Sequence, residues 1–150
     1  MRPAELLRYT VLAVQREGNR RLGAALVELG LTTAQAEVVR VLSQHRELTL
    51  AGLGELLICE SGGSPSRLVD RLVTGGYVAR APGASDRRQV ILSLTARGAE
   101  VSDRIATIER QLYDHIEAVM PESVAQTISE NLRPLLAGTP ADAALERRRA

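Results

Sequence analysis

Residues 67–98 read RLVDRLVTGGYVARAPGASDRRQVILSLTARG, and the change of period inside this stretch decides the fold. Leu68, Val69, Leu72 and Val73 fall at helical spacing, so the segment opening at Ser64-Pro65 reads as a short amphipathic helix stopped by Gly75-Gly76. Beyond it the pattern tightens. Tyr77–Arg80 is followed by a Pro-Gly-Ala-Ser-Asp turn, and then by Val90, Leu92 and Leu94 alternating with Ile91 and Ser93. Two short strands joined by an exposed loop make a β-hairpin.

Upstream, Pro3 stands where a first helical turn tolerates proline. Leu7, Val11, Val14, Gly18, Leu22, Leu26 and Leu29 then step by four and three, which predicts an amphipathic helix of about seven turns ending near Gly30. Thr32 or Thr33 caps the next helix, with Val38, Val41 and Leu42 on one face. The run ELTLAGLGELLIC reads as a short extended piece and a short helix carrying Leu53, Leu56 and Leu57. Downstream, Val101, Ile105, Ile108, Leu112, Ile116 and Val119 mark a second long helix. Pro121 opens another, with Val124, Ile128, Leu132 and Leu135 on one face, and the tail from Gly138 reads as frayed or weakly helical.

A long helix, three short helices, a hairpin and two more helices describe a mainly α chain with a small β-hairpin wing, a winged helix-turn-helix. The reading is one domain, 1–150: a winged lobe at about 31–98, long helices at about 1–30 and 99–137, and a tail at 138–150. The long helices carry more apolar surface than so small a lobe can cover, which predicts a second copy of the chain as their partner.

The composition excludes several function classes. Net charge is +1, but residues 60–98 hold six Arg (67, 71, 80, 87, 88 and 97) against Glu60, Asp70 and Asp86, a local excess of positive charge. The chain has no Lys, which a Walker loop requires, and Gly-Gly-Ser-Pro-Ser at 62–66 lacks the closing Gly of a nucleophile elbow. No enzyme is expected. Tyr9, Tyr77 and Tyr113 are the only aromatics, too few for single-strand stacking platforms. His45 and His115 have no Cys or His at metal-ligand spacing, so neither a metal nor another cofactor is expected. The N-terminus does not resemble a signal peptide and no apolar run reaches membrane-spanning length; a cytoplasmic protein without a membrane partner is expected.

The stretch RLVDRLVTGGYVAR, the short turn, DRR and VILSLTARG resembles the MarR family of bacterial transcription regulators: a helix ending in LVDRL, a strand ending in Arg, a wing with Asp-x-Arg, and a Leu-Thr-x-x-Gly closure at Leu94–Gly98. The helix order extends the likeness across nearly the whole chain. It departs in the turn before the recognition helix, which is somewhat longer and richer in Gly than is common in the family. The resemblance implies a homodimer joined through its first and last helices, bound to a pseudo-palindromic double-stranded operator. It also implies a repressor released by a small-molecule ligand or by oxidation.

On this reading Ser61, Ser64, Ser66 and Arg67 stand at the recognition helix's N-terminus, where phosphates and base edges are met. Arg87 and Arg88 enter a minor groove from the wing, and Arg71 and Arg80 contact phosphates. Asp86 is a structural acceptor, and the resemblance implies an Asp70–Arg88 salt bridge. Tyr9, Arg16, Arg20 and Val39 are the candidate lining of an effector crevice. Cys59, the only cysteine, reads as a small core hydrophobe, with thiol sensing as the alternative. A winged-helix module that binds protein instead of DNA is the other alternative.

Overall fold

The computed structural model describes residues 1–58, 64–83 and 86–149. The first helix, α1 (Pro3–Leu26), runs into a 3-10 turn at Val27–Leu29 and stops at Gly30, whose φ of 66° is left-handed and therefore suits glycine. Of the two candidate caps for α2 (Thr33–Gln44), the chain uses Thr32. Its Oγ1 accepts from the Gln35 N–H at 3.2 Å, and its own N–H donates to Gln35 Oε1 at 2.9 Å. This reciprocal pair satisfies two otherwise orphaned donors.

Helix α2 is the axis of the core. Val38, Val39, Val41 and Leu42 are all buried, and Leu26 of α1, Leu53, Val69, Leu72, Leu92 and Ile105 close around them. The short strand β1 (Leu48–Thr49) leads into α3 (Leu50–Gly54), where Thr49 Oγ1 accepts from the Gly52 N–H at 3.0 Å. Then come α4 (Pro65–Thr74), β2 (Val78–Pro82) and β3 (Val90–Leu94). The sheet is antiparallel with order β1-β3-β2. The extended piece expected before α3 is thus a strand, with Leu48 opposite Leu92 and Thr49 opposite Ile91. Strand β2 also runs on through Pro82, where the turn was expected to begin. It lies at the sheet edge, so a residue without an N–H is tolerated there.

Helices α5 (Ala96–Val119) and α6 (Glu122–Leu132), a 3-10 turn at Arg133–Leu136 and α7 (Pro140–Arg149) complete the chain. The tail is therefore a docked helix, with Ala144 only 2% exposed. No single helix among the described residues is long and apolar enough to cross a membrane.

The apolar stripes of the long helices divide. The lower end of α1 and the turn after it pack on the lobe through Leu22, Leu26 and Leu29, while Leu7, Val11 and Val14 of the same stripe, with Leu6 and Leu12, face solvent. Helix α5 repeats this: Val101 and Ile105 are buried, Ile116 and Val119 exposed. Helix α6 buries nothing, and Val124 and Ile128 stand open.

Candidate nucleic-acid interface

Helix α4 is strongly two-faced. Leu68, Val69 and Leu72 hold it to the core, which turns Arg67, Asp70, Arg71 and Thr74 to solvent in one row at helical spacing. Pro65 occupies the first turn, and Ser64 stands at the N-cap. The Ser64 hydroxyl is engaged with that of Ser66 at 2.9 Å and caps no backbone N–H among the described residues. Pro65 has no N–H, and the Arg67 and Leu68 N–H groups donate to the Ser64 carbonyl at 3.0 and 3.3 Å, so what this end offers an anion is the positive end of the helix dipole. Cys59 and Ser61, and the Gly62-Gly63 pair, lie outside the described residues.

The wing stands beside this helix. Its tip is shaped by Asp86, whose carboxylate accepts from the Arg88 N–H at 2.9 Å. The Gly83 N–H donates to the Gln89 carbonyl at 2.8 Å, and the Gln89 N–H to the Asp86 carbonyl at 3.0 Å. A Cβ at Gly83 would meet the Asp86 carbonyl oxygen at 2.7 Å, so the turn needs a glycine there. Asp86 thus accepts within its own turn. Arg87 and Arg88 are exposed at the tip, and neither they nor Arg67 and Arg71 form an ion pair among the described residues.

Asp70 does not pair with Arg88. Its Oδ1 accepts from Arg80 on β2. Strand periodicity explains the choice: Val78 and Arg80 share a face, so the anchor that buries Val78 under α4 carries Arg80 against the helix's outer turn. Arg88 lies four residues before Leu92, the register partner of Arg80, up to about 13 Å away along the hairpin. The salt bridge expected of Arg88 is thus formed by Arg80 instead. The pair neutralises the acid on an otherwise cationic surface.

A fastening at the base of the wing joins it to α5. Thr95 caps α5, its Oγ1 accepting from the Gly98 N–H at 3.0 Å and donating to the Gly76 carbonyl at 2.6 Å. The Thr95 N–H donates to the Tyr77 carbonyl at 3.0 Å, and the Arg97 guanidinium lies 4.7 Å from the Tyr77 ring centroid.

Residues 31–98, the span containing α2 through the wing and this fastening, match the family model described as a winged helix DNA-binding domain. The multiple antibiotic resistance protein MarR of Escherichia coli K12 is 32% identical over 91 residues, 61% of this chain and 62% of that relative's length. The uncharacterized HTH-type transcriptional regulator YcgE of Bacillus subtilis is 31% identical over 115 residues, 74% of each chain. A solved cysteine-to-serine mutant of E. coli MarR complexed with operator DNA matches with a TM-score of 0.76 at 26% identity, covering 87% of this chain and 93% of that one. The chain belongs to the MarR family of winged-helix transcriptional regulators.

The residues expected to line a MarR-type effector crevice do not come together. Val39 is fully buried in the core. Tyr9, Arg16 and Arg20 are exposed along α1, and Arg20 is held by Glu17, with Nε and Nη2 each 2.8 Å from its carboxylate. Hydrogen bonds from Arg20 and then Arg21 hold the Glu17 carboxyl down at about 2. A cleft between α1 and α5 lies beside them, lined by Arg21, Leu22, Ala25, Ile108, Leu112 and His115. At its mouth Arg21 Nη1 is 2.8 Å from His115 Nε2. Arg21 and Leu22 follow the expected residues directly on α1, but which turn of one helix faces another is a tertiary fact. His115 reads in sequence as part of a solvated helix face.

Proposed function

We propose that the chain is a sequence-specific double-stranded DNA-binding regulator acting as a homodimer in the cytoplasm, most simply as a repressor. The observation that carries this reading is the outward row of Arg67, Asp70 and Arg71 on α4, flanked by Arg87 and Arg88 at the wing tip, which form no ion pair among the described residues, and with its one acid already paired to Arg80. A helix presented in this way fits a major groove, and a thin cationic wing fits the adjacent minor groove. The bare apolar ends of α1, α5 and α6 support a dimer: each buried Leu, Ile or Val side chain contributes about 1.5–3 kcal/mol, and no element among the described residues of one chain covers them. The dimer sets two α4 helices side by side and so favours a pseudo-palindromic site. The long helices make up 1–30 and 99–137, and the reading head 31–98.

Release follows from the same geometry. A small, largely apolar molecule held in the α1–α5 cleft would change the relation of the long helices to the lobe. By linkage it lowers DNA affinity only if it binds the DNA-free form more tightly.

Selection of duplexes from a random pool tests the reading. The expected product is an inverted repeat with half-sites one helical turn, ~10 base pairs, apart, bound with steep salt dependence. A reporter driven from such a site is expected to rise when the regulator is deleted. No salt-dependent duplex binding at low ionic strength would sink the proposal.

A further inference from the structure

Glu37 on α2 is only 8% exposed, a place where a carboxylate persists because it has partners. Its Oε1 accepts from the backbone N–H of Ile58 at 2.9 Å and from Arg148 Nη1 at 2.7 Å. Arg148 belongs to α7, the last helix of the chain. One residue earlier, Arg147 lies on the carboxylate of Glu55 at 3.4 Å and on its carbonyl at 3.5 Å. Ala144 seats the helix, and Ala143 and Pro140 form a groove with Ala51, Gly54 and Leu57 of the lobe. Helix α7 therefore holds the chain at Glu55 and Ile58, the segment that leads from α3 towards α4.

We propose that α7 is a strap that positions the reading helix, with Arg148 and Glu37 as its positioning residues. This rests on the DNA-binding reading above. The Glu37 carboxylate is shared between the C-terminal helix and the backbone at Ile58, so displacing Arg148 takes a cation away from a buried acid at that junction. The triple arginine at 147–149 has a simpler explanation, as basic residues complementing the C-terminal end of a helix dipole. That explanation predicts solvated side chains and fits Arg149, at 68% exposed, but not Arg148, at 26% and seated on a buried acid. Nor is Arg148 placed as a phosphate contact, because its charge is already compensated inside the chain.

The test compares wild type, Arg148→Ala, Arg148→Lys and a chain ending at Gly138, using a duplex selected by the wild-type protein. Circular dichroism confirms folding in each case. Amide exchange at Ile58 is expected to quicken at least tenfold in Arg148→Ala and in the shortened chain. Duplex affinity is expected to fall about five- to twentyfold with the slope of log K against log salt unchanged. Arg148→Lys, which keeps a cation over Glu37, is expected to recover most of both. Unchanged Ile58 exchange or unchanged affinity in Arg148→Ala overturns the strap. So does a slope smaller by about one unit, which would make Arg148 a phosphate contact. A wild-type protein that selects no duplex sinks the DNA reading itself, whereas normal selection with an unimpaired Arg148→Ala sinks the strap alone.

Discussion

Gly98 and the Tyr77 carbonyl lie so close that a Cβ on Gly98 would stand 2.0 Å from the oxygen. The carbonyl cannot retreat freely, because it also accepts from the Thr95 N–H at 3.0 Å. Gly98→Ala must push α5 away from the wing base, and overpacking of this kind costs about 1–3 kcal/mol. A thermal midpoint lowered by several degrees is expected, measured by calorimetry or circular dichroism. An unchanged midpoint would mean that the wing base gives way at no cost.

Arg80 and Asp70 are both exposed at the reading surface, so their pair contributes well under about 1 kcal/mol to folding. Its effect should appear in binding. Asp70→Asn removes a negative charge facing the duplex and frees Arg80. Affinity for unrelated duplexes is expected to rise severalfold with stability unchanged, which narrows the ratio of specific to non-specific binding. Arg80→Ala leaves the acid bare and is expected to weaken all duplexes. Titrations of matched and scrambled duplexes at fixed salt separate the two outcomes.

Arg67 and the wing-tip arginines should fail differently. At the first turn of α4, Arg67 can form a bidentate pair with a guanine, so Arg67→Ala is expected to cost about 1–3 kcal/mol and relax discrimination at one position per half-site. Arg87→Ala/Arg88→Ala should weaken all sequences alike and lower the salt slope by about two units per chain. A slope unaffected by the double substitution would place the wing away from the duplex.

The dimer makes a separate prediction. Leu12→Glu on α1 and Ile128→Glu on α6 alter side chains that are solvent-exposed in the single chain, so each should leave the lobe folded. If these faces meet a second copy, each substitution puts an unpaired carboxylate into an apolar contact. Sedimentation should then show monomers, with duplex affinity falling by orders of magnitude. A dimer of undiminished strength in both variants would point to a different interface.

Much of the fold could be read from residue types because it is encoded locally. Thr32 and Gln35 announce their cap three residues apart, Gly30 marks a left-handed stop, and Gly75-Gly76 followed by alternation marks the passage from helix to strand. What could not be read depends on distant partners. Glu47–Thr49 looks extended, but nothing near it names β3 as the strand it joins. Asp70 had several arginines to choose from, and only the phase of β2, set by burial of Val78, selects Arg80 over Arg88. The tail looked weak because α7 has little stripe of its own; what holds it, Glu37 and Glu55, lies on α2 and just beyond α3. The α1–α5 cleft was out of reach for a related reason: the α1 stripe shows that the helix has an apolar side, not where α5 crosses it.

The fastening of Thr95 and Gly98 to residues 76 and 77 has a mechanical consequence. It makes the wing a lever welded to the end of a long shaft. From Thr95 back to Val90, where β3 begins, the chain rises about 17 Å, and the tip lies beyond it. A tilt of α5 by about 10° therefore sweeps the wing tip through about 3 Å, a hydrogen bond's length. Small rotations of the shaft become large displacements at the tip, so a disturbance too slight to reshape the core suffices to lift Arg87 and Arg88 out of register.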